Sequence, residues 1–320
     1  MSGIRALPSP QTFQRIIKAM TTEAPKLIHQ HLVSHFLPKR DEYSHKGSFG
    51  SALILAGSQS YTGAALLAGR ACLRSGVGLL FMAIPKALHA PLAGQLPEAI
   101  WELLAEDAGY HCSKSLPQLE VAMENKTAFL VGPGYGLTSS SQELGRALVE
   151  DLFPKHGNLP TVIDADMLTI LSRIDNWHHY LPQNTVLTPH PGEMARLTGL
   201  SRDEIQANRA EIALSFANEK QVVLILKGAN TLVATPQGEL YMLPFAHSLL
   251  AHGGSGDVLA GLLTGLLAQG MPTTQAACLA VWLHAKSGLL ALEKRKHAAS
   301  VLPSDLIDHL GMAMAELEKA

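Results

Sequence analysis

The chain has 320 residues, a formal net charge of −2 and a pI near 6.7, with 47% hydrophobic and 16% charged residues. That length and composition support one large or two small globular domains with a sizeable core, and exclude an intrinsically disordered chain. No basic stripe offers a footprint for a phosphate backbone, so nucleic acid is not an expected partner.

Residues 1–40 carry scattered apolar positions (Phe13, Ile16, Ile17, Met20) at helical spacing and read as a helical extension. They lack the continuous apolar core of a signal peptide. From His45 the pattern changes. Ser51–Ala56 is a short apolar run bounded by Gly57 and reads as a buried strand. Thr62–Arg74 reads as a helix of small residues able to pack tightly on a sheet, and Val77–Ile84 as the next strand. This βαβ opening predicts a parallel sheet with right-handed crossovers. Residues 86–126 are less regular.

The shape of a strand ending in a polar loop then recurs. Thr127–Val131 runs into Gly132-Pro133-Gly134-Tyr135-Gly136, and Thr161–Ile163 into Asp164-Ala165-Asp166. Thr185–Leu187 runs into Thr188-Pro189-His190-Pro191-Gly192-Glu193, and Gln221–Leu226 into Lys227-Gly228-Ala229-Asn230-Thr231. One such loop is an ordinary turn. Their concurrence points to the carboxyl edge of an open α/β sheet, where such sheets bind ligands. Residues 231–243 read as a hairpin on the sheet edge, and helices follow from Asp257, from about Thr274 to Leu292, and from Ser304 to Leu317. Cys72, Cys112 and Cys278 form neither a disulfide framework nor a metal-ligand spacing. With no apolar run near the roughly 18–20 residues of a membrane span, a cytoplasmic protein without a membrane partner is expected.

The chain is organised around Gly253-Gly254-Ser255-Gly256-Asp257, which precedes the apolar run Val258–Gln269. A glycine-rich loop entering a helix is an anion site, because unpaired amides and the positive end of the helix dipole face one point. Asp257 reads equally as a helix cap or as a base that takes a proton from the group attacking a phosphate. His190 reads as a structural hydrogen-bonder or a substrate contact, and Glu193 as a substrate-side group or a helix cap. Asp164 and Asp166 would point to opposite sides if their strand persists. Lys227 is either a phosphate counter-charge or a solvated strand-end lysine, and His178-His179 read as surface residues.

Taken in order, these stretches resemble the NAD(P)H-hydrate dehydratases, ribokinase-like enzymes that repair hydrated NADH and NADPH at the expense of ADP or ATP. The stretches are His45-Lys46-Gly47-Ser48-Phe49-Gly50, Ala56-Gly57-Ser58 with Gly63-Ala64-Ala65, Gly132-Pro133-Gly134, Asp164-Ala165-Asp166, Leu187–Glu193, Leu226–Thr231 and Gly253–Gly261. The Gly-x-Gly-Asp element alone is shared with many sugar and vitamin kinases; the Thr188–Glu193 block together with His45–Gly50 is far more specific. The resemblance implies a three-layer α/β/α ribokinase-like sandwich with a mostly parallel central sheet over residues 41–320. It also implies Mg²⁺ and a homotetramer. Lys227, Gly228, Ala229, Asn230 and Thr231 with Gly256 would hold the AMP portion and phosphates of ADP or ATP. The amides of Gly253, Gly254, Ser255 and Gly256 would stabilise the charge developing on the transferred phosphate. Ala64 or Ala65, Gly134, His190 and Asp257 would line the hydrated NADH or NADPH.

Two departures stand out. His247 occupies the place of a usual Asn, and His252 that of a small residue or Thr. Some relatives carry an epimerase domain at the N-terminus; 40 residues are too few for one, so only the dehydratase activity is expected. Two rival readings remain: a vitamin or sugar-alcohol kinase on the same fold, and a nucleotide-binding protein without turnover. Phosphorylating the C6 hydroxyl of the hydrated ring would make it a leaving group that the ring nitrogen expels, with Asp257 as the base.

Overall fold

The structure is a computed structural model that describes residues 24–319. The helical positions around Phe13, Ile16, Ile17 and Met20 lie outside the described residues. The strands are β1 (Lys26–Leu27), β2 (Ser51–Leu55), β3 (Leu79–Pro85), β4 (Ile100–Leu104), β5 (Glu106–Asp107), β6 (Tyr110–His111), β7 (Ala128–Val131), β8 (Thr161–Ile163), β9 (Thr185–Leu187), β10 (Val223–Leu226), β11 (Leu232–Ala234) and β12 (Leu240–Met242). Ten of them form one sheet in the order β1-β12-β11-β10-β9-β8-β7-β2-β3-β4. Pairing is parallel from β4 through to β10; β11 runs antiparallel to both of its neighbours. The hairpin thus lies where the sequence predicts it, but it is not the sheet edge. Lys26 and Leu27 pair in parallel with Tyr241 and Met242 beyond it. The sheet therefore takes in a strand from before residue 41.

Apolar residues in the central strands alternate between two cores. Ala52 and Ile54 of β2 face one, built with the helices Thr62–Arg74, Ser255–Ala268, Thr273–Arg295 and Pro303–Leu317. Leu53 and Leu55 face the other, with the helices Leu116–Met123, Ser139–Ala147, Ala165–Leu171 and Arg209–Lys220. Helices on both faces of a mostly parallel sheet make the expected three-layer sandwich. One helix, Thr273–Arg295, is long and apolar enough by length and composition to cross a membrane, which the sequence reading did not anticipate; 78% of its apolar stretch is buried inside the protein, against its neighbours.

The helix Thr62–Arg74 packs on more than the sheet. A Cβ on Gly261 would lie 2.0 Å from the Ala68 carbonyl oxygen, and one on Gly265 2.0 Å from Ser75 Oγ. These glycines let Ser255–Ala268 approach Thr62–Arg74 backbone to backbone. Chain order also reverses at β2: it pairs with β3 on one side, and the chain returns to place β7 on the other. The crevice above such a reversal is where open α/β sheets hold ligands.

Candidate active site

The carboxyl ends of the central strands are tied to one another. Gly57 N donates to Pro133 O at 2.8 Å, Asp164 N to Val131 O at 3.1 Å, Thr188 N to Ile163 O at 3.2 Å and Lys227 N to Pro189 O at 2.9 Å. Five loops far apart in sequence form one rim.

Asp164 and Asp166 do not alternate along a strand, because β8 ends at Ile163 and Asp166 lies in the first turn of the helix Ala165–Leu171. Ala165 between them adopts a left-handed φ of 51°. Asp164 accepts from Lys227 Nζ at 2.7 Å. Asp166 accepts from Gly136 N at 2.8 Å and so clasps the Gly132–Gly136 loop. Lys227 is no solvated strand-end lysine: its side chain is 19% exposed and also lies 3.8 Å from Glu193 Oε2. Burial works against its charge, but Asp164 and Glu193 outweigh burial and hold its ammonium above the ordinary lysine range. Arg209, which the sequence reading missed, donates to Leu226 O at 3.0 Å and Lys227 O at 3.3 Å, bracing this strand end.

Helix Ser255–Ala268 begins differently from a capped helix. Its N-cap is Gly254 at φ 96° and no side chain caps its first turn; the Ser255 amide donates to His252 O at 3.3 Å, so the open amides are those of Gly256 and Asp257. Asp257 is the third residue inside the helix, half-buried, and makes no hydrogen bond among the described residues. That answers the choice left open by the sequence: Asp257 is not the cap. Burial, then Asp164, push its carboxyl up to about 7, with Lys227 pulling the other way. Lys227 Nζ lies beside the same turn, 3.4 Å from where a Gly256 Cβ would be.

At the start of helix Pro191–Thr198, His190 is the N-cap. Its Nδ1 accepts from Gly192 N at 2.9 Å and Glu193 N at 3.2 Å, and Glu193 Oε2 accepts from His190 N at 2.8 Å. An imidazole that accepts at Nδ1 carries its proton on Nε2, which lies 3.4 Å from Glu193 Oε1, so the His190 ring acts as a donor and not a base. Its pKa is lowered, first by burial and then by Lys227. Glu193 is both cap and member of the charged cluster; burial pushes it up to about 7 against the pull of Lys227.

Gly134 lies at φ 59°, where a Cβ would come within 2.8 Å of Ala64 Cβ and 2.7 Å of Tyr61 Cβ. Ala64 is half-buried against this loop, whereas Ala65 is fully buried, its Cβ turned to Gly57. Of the two alanines, Ala64 faces the crevice.

A cleft of about 430 Å³ opens beside Lys227. Gly228, Ala229 and Thr231 with Ser255 and Gly256 line its polar end, and Phe245, His247, Leu259 and Val281 its apolar end. Asn230 is not on its wall: it is exposed, and its amide donates to Phe245 O at 2.9 Å. Gly253 and Gly254 are also absent from the lining, and Gly254 instead packs toward Leu67. Phe245, Val281 and His284 join the site with no motif to announce them, and Leu259 joins it from the helix that follows the glycine loop. A small apolar cleft ending in a lysine and open helix amides suits a nucleotide, its base in the apolar end and its phosphates at the polar one.

The chain is similar to known proteins over most of its length. The sequence profile described as NAD(P)H-hydrate dehydratase matches residues 52–311. The bifunctional NAD(P)H-hydrate repair enzyme of Moorella thermoacetica is 38% identical over 287 residues, which is 88% of this chain and 52% of that protein. The chain thus spans about half the length of several curated relatives it matches. The ADP-dependent (S)-NAD(P)H-hydrate dehydratase of Bacillus subtilis is 35% identical over 86% of this chain and 92% of its own. Among solved structures, the Bacillus subtilis ADP/ATP-dependent NAD(P)H-hydrate dehydratase co-crystallized with ATP/Mg²⁺ superposes with a TM-score of 0.76, at 32% identity, over 93% of this chain and all of that one. A ribokinase-like superfamily protein of Enterococcus faecalis gives a TM-score of 0.77 at 26% identity, over 92% of this chain and 97% of that one. On the extent of the profile match and of the shared sequence, the chain belongs to the NAD(P)H-hydrate dehydratase family.

Proposed function

We propose that the protein restores hydrated NADH and NADPH (the S epimer) to NAD(P)H, driven by phosphoryl transfer from ADP or ATP. The observation that carries this reading is Asp257: a half-buried carboxylate, unbonded, one turn inside an uncapped helix start and beside Lys227. Hydroxide is a poor leaving group. Asp257 takes the proton of the C6 hydroxyl as that oxygen attacks the terminal phosphate, a carboxylate near neutrality being matched to such a transfer at neutral pH. The amides at the start of Ser255–Ala268 and Lys227 face the charge that develops on the phosphate. The ring nitrogen lone pair then expels the phosphate, and loss of the C5 proton restores the double bond. His190 Nε2–H, Gly134 and Ala64 hold the substrate side.

Among the described residues no three His, Cys, Asp or Glu side chains are grouped to hold a metal by themselves. Mg²⁺ is commonly held through one or two carboxylates, waters and the nucleotide phosphates. Asp164 and Asp166, close enough for the charge of one to raise the carboxyl of the other, offer such oxygens, so the donor set fits a metal carried in by the nucleotide. Bound there, it would neutralise phosphate charge. The same reading, resting on the resemblance, takes the protein to be a cytoplasmic homotetramer; sedimentation would test the assembly.

The test is direct. Protein is mixed with hydrated NADH, Mg²⁺ and ADP or ATP, and the near-ultraviolet absorbance of NADH is followed, with Asp257→Ala alongside. Absorbance returning only with nucleotide, and not in the variant, is the expected result. Nucleotide binding without any return, but with phosphate passed to an added alcohol, would replace this reading by a small-molecule kinase.

A further inference from the structure

His247 stands on the wall of the nucleotide-side cleft together with Phe245. The two rings lie 19° from parallel with centroids 6.2 Å apart. Leu243, Leu259 and Val281 complete an apolar surround. Phe245 is bound to the loop at the polar end through its carbonyl, which accepts from Asn230 N. His247 caps the short turn Ser248–Leu250, its Nδ1 accepting from Leu249 N at 3.1 Å. That bond fixes the tautomer: the proton sits on Nε2, which has no partner among the described residues. The other imidazole in the cleft, His284, has its Nε2 committed to Ser255 O at 2.9 Å and, with burial lowering its pKa to about 4, stays neutral.

We propose that Phe245 and His247 form a base-reading ledge, with His247 as a specificity-determining residue for a purine nucleotide. Phe245 offers a ring face on the cleft wall on which a flat heterocycle can stack, and the unpartnered Nε2–H of His247 stands on the same wall as the donor available to that heterocycle's edge. A ring-nitrogen acceptor, as in a purine, completes the pair; an apolar ring or a bare sugar phosphate does not. The inference rests on the nucleotide reading of this cleft and assigns who recognises the base.

The experiment titrates the full chain with AMP and, separately, with ribose 5-phosphate, using calorimetry. His247→Ser keeps an oxygen to cap Leu249 N but cannot reach the base, while His247→Ala loses both; Phe245→Leu keeps bulk without the ring. Expected is about tenfold weaker AMP binding for His247→Ser and Phe245→Leu, with ribose 5-phosphate held as in the unaltered protein. AMP binding by His247→Ser at the unaltered affinity overturns the ledge. Equal loss of both probes overturns it too, since the defect would then lie in the fold or the phosphate end. If the unaltered protein binds AMP no better than ribose 5-phosphate, no base is read there. If it binds neither, the nucleotide reading of the cleft falls, which is a separate and recognisable result.

Discussion

Two helix starts face the same rim and are built in opposite ways. Pro191–Thr198 is sealed: His190 accepts two of its first amides, and Glu193 answers to the His190 amide. Ser255–Ala268 opens on Gly254, which has no side chain to offer, and its acid sits three residues further in. A sealed start gains stability from its cap. An open start leaves orphan donors for an anion. The difference separates a scaffold from a working site, even though both sequences carry a glycine and an acid at the beginning of a helix.

The largest expected effect tests the open start. Asp257→Ala should lower kcat by about 10²–10⁴-fold, read from the NADH absorbance. Asp257→Asn should do the same and yet raise Tm at pH 8. The sign follows from the raised carboxyl: the native state holds a proton that the unfolded chain has released, so its stability falls as pH rises toward about 7. Above that, the wild type carries a charge disfavoured by burial and by Asp164, which the amide removes; at pH 4 the two proteins should melt together. The kcat of the wild type should rise with pH through about 7 for the same reason. An Asp257→Asn protein with near-normal turnover would return Asp257 to a purely structural role.

Next comes the ion pair beneath that start. Lys227→Met leaves Asp164 buried without its partner and should cost about 3–5 kcal/mol of stability in denaturant melts. Adding Asp164→Asn should recover most of it but no activity. Smaller again is Gly254→Ala: at φ 96°, and with Leu67 Cδ1 2.6 Å from the new Cβ, it should cost about 1–2 kcal/mol and raise the KM for ADP. Smallest is the sealed start. His190→Ala should lose about 1 kcal/mol through the cap. His190→Ser should regain the stability but not the KM for hydrated NADH, if the imidazole also meets that substrate. Full recovery of both would make His190 a cap alone.

Much of the framework was legible because it is written in local pattern. The runs Ser51–Leu55, Ala128–Val131, Thr161–Ile163 and Val223–Leu226 are apolar blocks closed by glycine or polar residues, and each is a strand. β4 was lost in an irregular stretch, since Ile100-Trp101-Glu102-Leu103-Leu104 neither alternates nor ends in a turn residue. β1 spans only Lys26 and Leu27, too short for any period. At the site, the loops were visible and their wiring was not. Lys227 and Asp164 are 63 residues apart, so no spacing announces their contact. Asp257 reads equally as a cap or a base because the left-handed turn at Gly254, which starts the helix early, cannot be read from a run of glycines. Phe245 sits in an unremarkable loop, and only the fold brings it to the cleft wall.

The contact between Thr62–Arg74 and Ser255–Ala268 has a last consequence. One helix begins at the loop beside Gly134, where the acceptor hydroxyl would lie, and the other begins at the open amides, where the donor phosphate would lie. Their separation is set by Gly261 against the Ala68 carbonyl, peptide on peptide, with no side chain between to yield. The pair works as a fixed gauge. A single methyl group at Gly261, far from any reacting atom, would lengthen the gap across which the phosphate must pass and spoil the in-line geometry that transfer requires.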